Sequence, residues 1–511
     1  MKVGYRFLQT AVDAVFVVEE IGGEFLEALE VFHENTLAYL CVQARRRGFQ
    51  FFEIKFRFLF SARHFRIVYP FGLQRYTGQM KLPEHMYMVG IGGIGMSALA
   101  QFLKHAGHSV GGSDRDESPV TTMLSQQGIP VVIGHDQCNI PADSELLIFS
   151  DAIPESNVER VRGREMKIPE MSYFQALGAV SAHARTIAVS GTHGKTTTTG
   201  MLAKILQRAK KKPTAIVGSV VRDFPGAEGG SNFLAGDPDL FVIEACEYRD
   251  HVLKLSPEIL VITNIELDHT DYFPDLESVQ ETFRKAAAQV PAHGIIVTNP
   301  DDPNIAPVLE NIRARVVDYT EESVPRLHLI GEFNRMNARA AKAAARAAFP
   351  DIPAEHANES LASFRGSWRR FEYHGETPEG ALVYDDYAHH PTAIHATIAA
   401  AREKFPDKKI VVAFHPHLYS RTRSLMQDFG RALATADLSL IAPIYAAREE
   451  PDPSVTNAVL AEVTRRHGGN SLALDSFDVI RDKLLACDDR HLIITMGAGD
   501  IYKVAEQIAG E

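Results

Sequence analysis

The chain has 511 residues, of which 45% are hydrophobic and 23% are charged, and its formal net charge at pH 7 is −12. This composition is typical of a globular protein, and the length favours about three domains. The negative charge argues against a nucleic-acid partner, because such a partner demands cations to neutralise its phosphates. The four scattered cysteines show no metal-binding spacing and indicate a reducing compartment, here the cytoplasm. From Met80 onward no apolar run has transmembrane length, so we expect no stable membrane insertion.

Residues 1–79 differ from the rest and hold 12 of the 28 phenylalanines. They have no clear signal-peptide pattern. Three interpretations stay open for this atypical extension: an extra domain, a membrane-surface segment, or upstream sequence translated from a wrongly chosen start. We favour the third, because Met80 could begin a normal chain and the first recognisable unit follows a few residues later.

Residues 80–182 predict a Rossmann-like domain. A strand at 86–89 leads into a glycine turn at 90–95, a helix at 97–106 and a second strand at 109–112, with further strands at 131–133 and 146–149. The spacing Gly90-x-Gly92-x-x-Gly95, with Asp114 beyond the second strand, is typical of a dinucleotide-binding fingerprint. Alone it suggests NAD, or a tight turn without a ligand. A second phosphate-binding motif downstream instead favours a nucleotide-linked substrate on this domain.

Residues 183–366 carry that second motif. The apolar strand ending at Val189 is followed by a glycine-rich turn and then a helix, the arrangement that cradles phosphates. Lys195 can reach the β- and γ-phosphates, and the Thr196 hydroxyl can ligate Mg²⁺. An ordinary glycine turn is the alternative. The loop is a variant, because Val189 stands where the general pattern has glycine. We expect ATP to contact Gly191, Thr192, His193, Gly194, Lys195, Thr196 and Thr197.

Further along, strands are predicted at 240–243, 259–262 and 295–297, and an alanine-rich helix at 338–348. Glu244 and Glu247 follow the first of these strands, where a carboxylate beside a phosphate loop is placed to hold Mg²⁺. The pair Asp268-His269 follows the second strand, and this histidine either ligates a second metal or lies in a solvated loop. The central domain is therefore expected to be of the P-loop ATPase type, with a mostly parallel sheet.

Residues 367–511 predict a third α/β domain, again Rossmann-like, with strands near 381–384, 410–414, 438–441 and 492–495. Two strand ends carry polar groups, each of which could equally belong to a surface loop. One is the run 385–391, with Asp386 and His389. The other is 415–423, with His417 and Arg421, whose cationic groups could hold a carboxylate or phosphate.

Taken together, these motifs resemble the Mur ligase family, over roughly residues 84–508. The ordered markers are Val89–Ser97, Gly112-Ser113-Asp114, Ser150–Pro154, Gly191–Thr197, Glu244–Tyr248, Thr263-Asn264-Ile265 with Asp268-His269, Asp385–Pro391, Ser420–Arg423 and Gly497–Ile501. The resemblance implies a three-domain, ATP-dependent ligase of peptidoglycan synthesis. Such an enzyme joins the carboxylate of UDP-N-acetylmuramate to L-alanine through an acyl phosphate.

The resemblance also implies a role for each matching residue. Gly90, Gly92, Gly93 and Gly95 would lie at the UDP diphosphate, with Asp114 near the uridine. Mg²⁺ would be held by Thr196 and Glu244, and a second ion by His269. The expected catalytic residues are Lys195, His269, Arg370, His389 and Arg421, with His417 beside them; Asn334 and Asn337 would lie near the adenine and Asp386 near the ribose.

Three positions depart from the family pattern. Phe333 replaces a histidine near the adenine, Leu418 stands where many members have arginine, and Cys246 replaces an aspartate. Within the family, the alternative is a ligase that attaches a recycled tripeptide to UDP-N-acetylmuramate. Outside it, the alternatives are a nicotinamide-dependent dehydrogenase and a P-loop ATPase without ligation.

Overall fold

The computed structural model describes residues 16–21, 24–29, 82–226, 229–447 and 449–510. The chain divides into two units, Met1–Leu82 and Pro83–Glu511. In the first unit, strands β1 (Phe16–Ile21) and β2 (Glu24–Leu29) form an antiparallel pair. The remainder of the predicted extension 1–79 lies outside the described residues, so its interpretation stays a prediction.

The second unit begins with a five-stranded, fully parallel sheet of order β5-β4-β3-β6-β7. Its elements are β3 (His85–Val89), α1 (Ile94–His105), β4 (Ser109–Asp114), α2 (Pro119–Gln126), β5 (Val131–Ile133), β6 (Leu146–Phe149), α3 (Val158–Glu165), β7 (Glu170–Ser172) and α4 (Tyr173–Ser181). This is the order of a Rossmann-like sheet, whose ligand crevice opens beside its first strand. The glycine turn after β3 lies at that crevice.

The second sheet has seven strands in the order β10-β9-β11-β8-β12-β13-β14, and only β10 runs antiparallel to its neighbour among the described strands. Its elements are β8 (Arg185–Ser190), α5 (Lys195–Arg208), β9 (Pro213–Val221), β10 (Ser231–Leu234), β11 (Asp237–Glu244), β12 (Ile259–Ile262), α6 (Leu276–Gln289), β13 (Ile295–Thr298), β14 (Arg315–Asp318), α7 (Glu332–Ala348) and α8 (Ala354–Ala362). The phosphate loop leaves the sheet from the central strand β8, so its neighbours β11 and β12 end beside it.

The third sheet has six strands in the order β15-β16-β20-β17-β18-β19, with β15 antiparallel to β16. Its elements are β15 (Glu372–Glu376), β16 (Leu382–Asp386), α9 (Pro391–Lys404), β17 (Lys409–Phe414), α10 (Tyr419–Ser424), α11 (Met426–Leu433), β18 (Leu438–Ile441), α12 (Asn457–Arg466), β19 (Ser471–Ala473), α13 (Phe477–Leu485), β20 (His491–Met496) and α14 (Tyr502–Ile508). The predicted three-part α/β fold is therefore confirmed.

Most predicted strands lie within a residue or two of their predicted positions, while three helices begin earlier than predicted. Helix α1 starts at Ile94, so Gly95 belongs to its first turn and not to the loop, which corrects our placement. A Cβ at Gly95 would lie 2.7 Å from the Tyr173 ring, so glycine is kept for packing. Helix α5 starts at Lys195, upstream of the apolar run 201–206 by which the sequence predicts it. Helix α7 starts at Glu332, upstream of the predicted range 338–348.

The domain limits predicted at 182/183 and 366/367 fall in connections between elements, after α4 and after α8. These limits stay predictions. Within the described part of the chain, none of the helices combines the length and the apolar character needed to cross a bilayer.

The alanine-rich face of α7 forms part of the core of the second sheet. Ala341, Ala344 and Ala345 are fully buried in one cluster with Leu202 and Leu206 of α5. Because alanine has no side chain beyond Cβ, two helices can pack closely there. This packing holds α7 against the helix that follows the phosphate loop.

A buried arginine joins the segment before β15 to the third sheet. The guanidinium of Arg369 donates to Asp385 (Nε to Oδ2, 2.7 Å) and to the carbonyls of Gly499 (2.9 Å) and Gly497 (2.6 Å). The two side chains are 2% and 0% exposed. A charge so deeply buried is tolerated only while its partners satisfy it.

We therefore expect Arg369→Met to destabilise the protein by about 3–5 kcal/mol, because it leaves the Asp385 carboxylate buried without its cation. Chemical denaturation followed by circular dichroism measures this. The matched control is Arg402→Met, which removes a surface pair with Asp437 whose side chains are 44% and 40% exposed. Equal effects of the two changes would contradict the assignment.

His415 packs against the same turn at the end of β20. A Cβ at Gly499 would lie 2.6 Å from its Nδ1, and this nitrogen makes no hydrogen bond to a described residue. Burial lowers the pKa of His415 to about 4; Asp500 opposes the shift and Arg369 adds to it. The side chain is therefore neutral in the folded protein at neutral pH.

The sign of the pH dependence follows from that shift. Between the unfolded pKa of about 6.5 and about 4, the unfolded chain takes up a proton that the folded chain does not, so stability falls as pH falls. The contribution is up to about 1.4 kcal/mol per pH unit. We expect His415→Gln to lose less stability than the wild type between about pH 6.5 and about pH 5, measured by urea unfolding. Parallel curves would show that His415 does not titrate in this way.

Candidate active site

The phosphate loop between β8 and α5 is fixed by close packing on both sides. Gly191 and Gly194 have positive φ angles of 128° and 84°. A Cβ at Gly191 would lie 2.1 Å from Thr263 Oγ1, and one at Gly194 would lie 2.1 Å from Asn337 Oδ1. Both positions therefore require glycine. Gly194 is also the N-cap of α5, and no side chain of a described residue caps this helix. Its first N–H groups are available to an anion.

Hydrogen bonds join the loop after β12 to the phosphate loop. The backbone N–H of Thr192 donates to the Asn264 carbonyl (3.0 Å), and that of His193 donates to Asn264 Oδ1 (2.9 Å). The Thr263 hydroxyl donates to the His193 carbonyl (2.6 Å), and the Glu266 N–H donates to Thr192 Oγ1 (2.9 Å). Two loops from neighbouring strands are thus locked together.

Lys195 is folded back over its own loop and paired with a buried carboxylate. Its Nζ donates to Glu247 Oε2 (2.9 Å) and to the carbonyls of Gly191 and Thr192. Burial opposes the charge, but Glu247 outweighs it and raises the pKa of Lys195. Burial raises the pKa of the neighbouring Cys246 to about 12, so this thiol stays protonated. The ammonium therefore remains charged in a buried place.

Thr196, Glu244 and Arg370 meet at the first turn of α5. The Thr196 hydroxyl donates to Glu244 Oε1 (2.9 Å), and Glu244 Oε2 accepts from the Gly218 N–H (2.7 Å). Arg370 Nη2 lies 3.5 Å from Thr196 Oγ1, and its Nε is buried without a hydrogen-bond partner among the described residues. Hydroxyl and carboxylate oxygens are a donor set that suits Mg²⁺, so the residues present fit this ion. A cation from the segment before β15 reaches the same point.

Asp268 gathers residues from the second and third sheets. Its Oδ1 accepts from Arg421 Nε (2.8 Å), and the two side chains are 6% and 3% exposed. His389 Nε2 lies 3.9 Å from Asp268 Oδ2, and Arg421 Nη1 lies 3.2 Å from His417 Nδ1. Burial opposes ionisation, but Arg421 holds the pKa of Asp268 well below its usual range. Arg421, His389 and His417 are thus brought together as the sequence suggested.

Two histidines beside Asp268 are kept neutral. Burial lowers the pKa of His269, although Asp268 and Glu247 oppose the shift, and its Nε2 lies 3.7 Å from Glu247 Oε1. Burial and Arg421 hold the pKa of His389 well below its usual range. His389 Nδ1 lies 2.9 Å from the Tyr387 carbonyl, which fixes the proton on this nitrogen and leaves Nε2 as an acceptor.

The predicted adenine and ribose residues have structural partners of their own. Asn337 packs on Gly194, and Asn334 Oδ1 accepts from Asn337 Nδ2 (3.3 Å). Asp386 accepts from the N–H groups of Phe371 and Ala388, both at 2.8 Å, and burial raises its pKa to about 6. The two asparagines therefore lie at the phosphate loop, whereas Asp386 holds the segment that carries Arg370.

The glycine turn of the first sheet lies apart from the phosphate loop but is linked to it through Tyr173. Asp114 Oδ2 accepts from the Gly92 N–H (2.8 Å), and Gly93 is the N-cap of α1 without a capping side chain among the described residues. Tyr173 touches Gly95 on one side, and Glu244 contributes to its raised pKa on the other, after burial. This tyrosine lies between the two predicted nucleotide sites.

Four further residues lie at the centre of the site: Tyr173, Glu247, Glu266 and Asp268. From the sequence, Glu247 was considered only as a Mg²⁺ ligand and Asp268 only as the neighbour of His269, and the other two were not considered. Glu247 and Asp268 follow strands next to the phosphate loop, and this was the available signal. Tyr173 and Glu266 gave none, because their partners are distant in sequence.

Comparison with known proteins follows the same three-part division. Family models match residues 85–185 (Mur ligase family, catalytic domain), 189–328 (Mur ligase middle domain) and 369–499 (Mur ligase, glutamate ligase domain). The UDP-N-acetylmuramate–L-alanine ligase of Clostridium novyi (strain NT) is 38% identical over 452 residues, covering 83% of this chain and 96% of that protein.

Solved structures agree with this. The UDP-N-acetylmuramate–alanine ligase of Thermotoga maritima superposes with a TM-score of 0.66 at 27% identity, covering 83% of this chain and 98% of that one. A murein peptide ligase from Psychrobacter arcticus shares the fold, with a TM-score of 0.61 at 23% identity, covering 84% of this chain and 100% of that one. With three family models in order and a relative 38% identical over most of its length, the chain belongs to the Mur ligase family.

Proposed function

We propose that this protein is an ATP-dependent ligase that forms an amide bond between the carboxylate of UDP-N-acetylmuramate and L-alanine. The reaction belongs to the synthesis of peptidoglycan precursors, and its substrates place it in the cytoplasm. The names of the curated relatives and of the Thermotoga structure support this choice of substrates. One observation carries the proposal: Arg370, from the segment before the third sheet, reaches the Thr196 hydroxyl at the start of the phosphate-loop helix.

The chemical difficulty is that a carboxylate is a poor electrophile and repels ATP. It is activated by transfer of the γ-phosphoryl group, which gives an acyl phosphate and ADP. Lys195, Arg370 and the free N–H groups of α5 concentrate positive charge where the two anions meet. Thr196 and Glu244 would hold Mg²⁺, with His269 at a second ion. The metal would supply further charge neutralisation for the phosphates.

The second half of the reaction needs a neutral amine. The alanine ammonium loses its proton to solvent, because burial and Arg421 hold the pKa of His389 well below its usual range and make it a poor base. The unprotonated Nε2 of His389, beside Asp268, can accept a hydrogen bond from the neutral amine. Arg421 lies next to His389, where its guanidinium can pair with the carboxylate of alanine or with the acyl phosphate. The amine attacks the acyl carbon, the tetrahedral intermediate expels phosphate, and the amide remains.

The remaining predicted residues bind and position the nucleotides. The UDP diphosphate lies at Gly90, Gly92 and Gly93, which are followed by the free N-terminus of α1, with Asp114 toward the uridine. Asn334, Asn337 and Asp386 lie on the adenosine side of ATP. Tyr173 connects the two sites, because it touches Gly95 and lies near Glu244.

The test is a set of reactions with purified protein, UDP-N-acetylmuramate, ATP and Mg²⁺, each with one acceptor. L-Alanine, L-serine, glycine and the cell-wall tripeptide are compared by phosphate release and by mass spectrometry of the product. We expect the highest kcat/KM with L-alanine and no turnover without Mg²⁺. Turnover with the tripeptide alone would favour the ligase that attaches a recycled tripeptide. Absence of turnover with every acceptor would contradict the proposed ligase activity.

A change at Lys195 tests whether ATP and UDP-N-acetylmuramate bind to separate domains. Lys195→Ala removes a cation aimed at the γ-phosphate, so we expect kcat to fall by at least about 10²-fold. The affinity for UDP-N-acetylmuramate, measured by calorimetry without ATP, should stay unchanged. Lys211→Ala, at a lysine that pairs with Asp351 on the surface of the same domain, is the matched control and should keep full activity. Equal loss of turnover and of UDP-substrate affinity in Lys195→Ala would contradict the assignment of separate sites.

A further inference from the structure

Three potential metal ligands from separate segments converge beside the phosphate loop. His193 belongs to that loop, Glu266 to the loop after β12, and His390 is the N-cap of α9 in the third sheet's domain. Their ligand atoms all lie within 4.8 Å of one another. Neither Thr196, Glu244 nor His269, which would hold Mg²⁺ under the proposed function, belongs to this cluster.

The separation of Glu266 from each histidine matches that of two ligands around one ion. Glu266 Oε2 lies 3.5 Å from His193 Nε2 and 3.6 Å from His390 Nδ1. Two atoms that each lie about 2.1 Å from a tetrahedral Zn²⁺ are about 3.4 Å apart. The two imidazole rings have their centroids 4.8 Å apart and are tilted by 48°, so neither blocks the other.

The protonation pattern leaves lone pairs for a metal. His390 Nε2 lies 3.1 Å from the Leu267 carbonyl, so the proton is on this nitrogen. The lone pair of Nδ1 lies near Glu266 and accepts a long hydrogen bond (3.3 Å) from the Thr392 N–H, which a metal ion would replace. A ligating histidine commonly donates its other N–H to a carbonyl in this way. His193 Nε2 is buried and makes no hydrogen bond of good geometry to a described residue. The Thr392 hydroxyl donates to Glu266 Oε2 (2.6 Å) and orients this carboxylate.

An ion has a route to the cluster. Glu266 and His390 line an open cleft of about 640 Å³ between the second and third sheets' domains, together with Thr392 and His395. The cleft can supply water as a fourth ligand, as in sites with three protein ligands.

We propose that His193, Glu266 and His390 form a binding site for a divalent transition-metal ion of the zinc class. Two imidazoles and one carboxylate favour Zn²⁺ or Co²⁺, whereas Mg²⁺ prefers oxygen donors. Because the ligands come from two domains, the bound ion holds the phosphate loop to the start of α9 and stabilises the arrangement of domains seen here. This site shares His193 with the expected ATP contacts but shares none of the proposed Mg²⁺ ligands, and zinc binding is measured without turnover.

The experiment is a Zn²⁺ titration of full-length protein stripped with chelator, in excess Mg²⁺ so that oxygen-rich sites are filled. We expect one tightly bound Zn²⁺ per chain in the wild type. Binding should weaken at least about 10-fold in Glu266→Gln and in His390→Gln, each of which removes one ligand. Two matched controls should bind as the wild type does: His395→Gln, which lines the same cleft, and His269→Gln, at the proposed Mg²⁺ ligand.

Co²⁺ gives a second readout that does not depend on the variants. Bound at this cluster, it should show the intense visible absorption of a four-coordinate ion, which Zn²⁺ abolishes and Mg²⁺ does not. Circular dichroism without metal checks that each variant is folded. The proposal is overturned if the wild type binds no Zn²⁺ in excess Mg²⁺, if Glu266→Gln and His390→Gln bind it unchanged, or if His269→Gln loses it.

Discussion

The site depends on the requirement that a buried cation keep a partner. Three cations at or beside the site are largely withdrawn from water, and each has its own carboxylate. Lys195 pairs with Glu247 at 2.9 Å, Arg369 with Asp385 at 2.7 Å and Arg421 with Asp268 at 2.8 Å. Removing one member of such a pair leaves an uncompensated charge, which costs about 3–5 kcal/mol. The carboxylates therefore fix where the cations can lie.

The Arg369 and Lys195 pairs each lie within one domain, whereas the Arg421 pair joins the second and third domains. Under the proposed function, Lys195 exchanges Glu247 for the phosphates of ATP, so the nucleotide replaces one anion by another and the ammonium is never left unpaired. Glu247 then faces His269, whose Nε2 lies 3.7 Å away. The lysine therefore faces an anion in both states, and this allows it to be buried before its substrate arrives.

The sequence predicts those elements whose pattern is contained in a few neighbouring residues, and it predicts poorly those that depend on residues far away in the chain. The strands 259–262 and 438–441 lie where the apolar runs predicted them, because a buried parallel strand is a local hydrophobic pattern. The starts of α5 and α7 were missed, because the first turn of each helix is polar and lies at the phosphate loop. Strand β9 was missed as well, because Pro213 and Gly218 lie within it.

The same distinction applies to the residues of the candidate site. Lys195, Thr196 and Glu244 were found from motifs, since the loop and the strand end carry their own signatures. Tyr173 could not be found, because it acts on Gly95 and Glu244, which are 78 and 71 residues away from it in the sequence. The role of Asp268 was missed because its partner Arg421 is 153 residues away.

The loop after β12 couples the domains, because a few consecutive residues contact both sides. Thr263 and Asn264 hold the phosphate loop through four hydrogen bonds, with Asn264 contributing both its carbonyl and its side chain. Three and four residues after Asn264, the Leu267 carbonyl and Asp268 contact His390 and Arg421 of the third sheet's domain. A stretch this short cannot follow the third domain without moving the phosphate loop as well. We therefore expect any closure of the third domain to change the geometry of the ATP site with it.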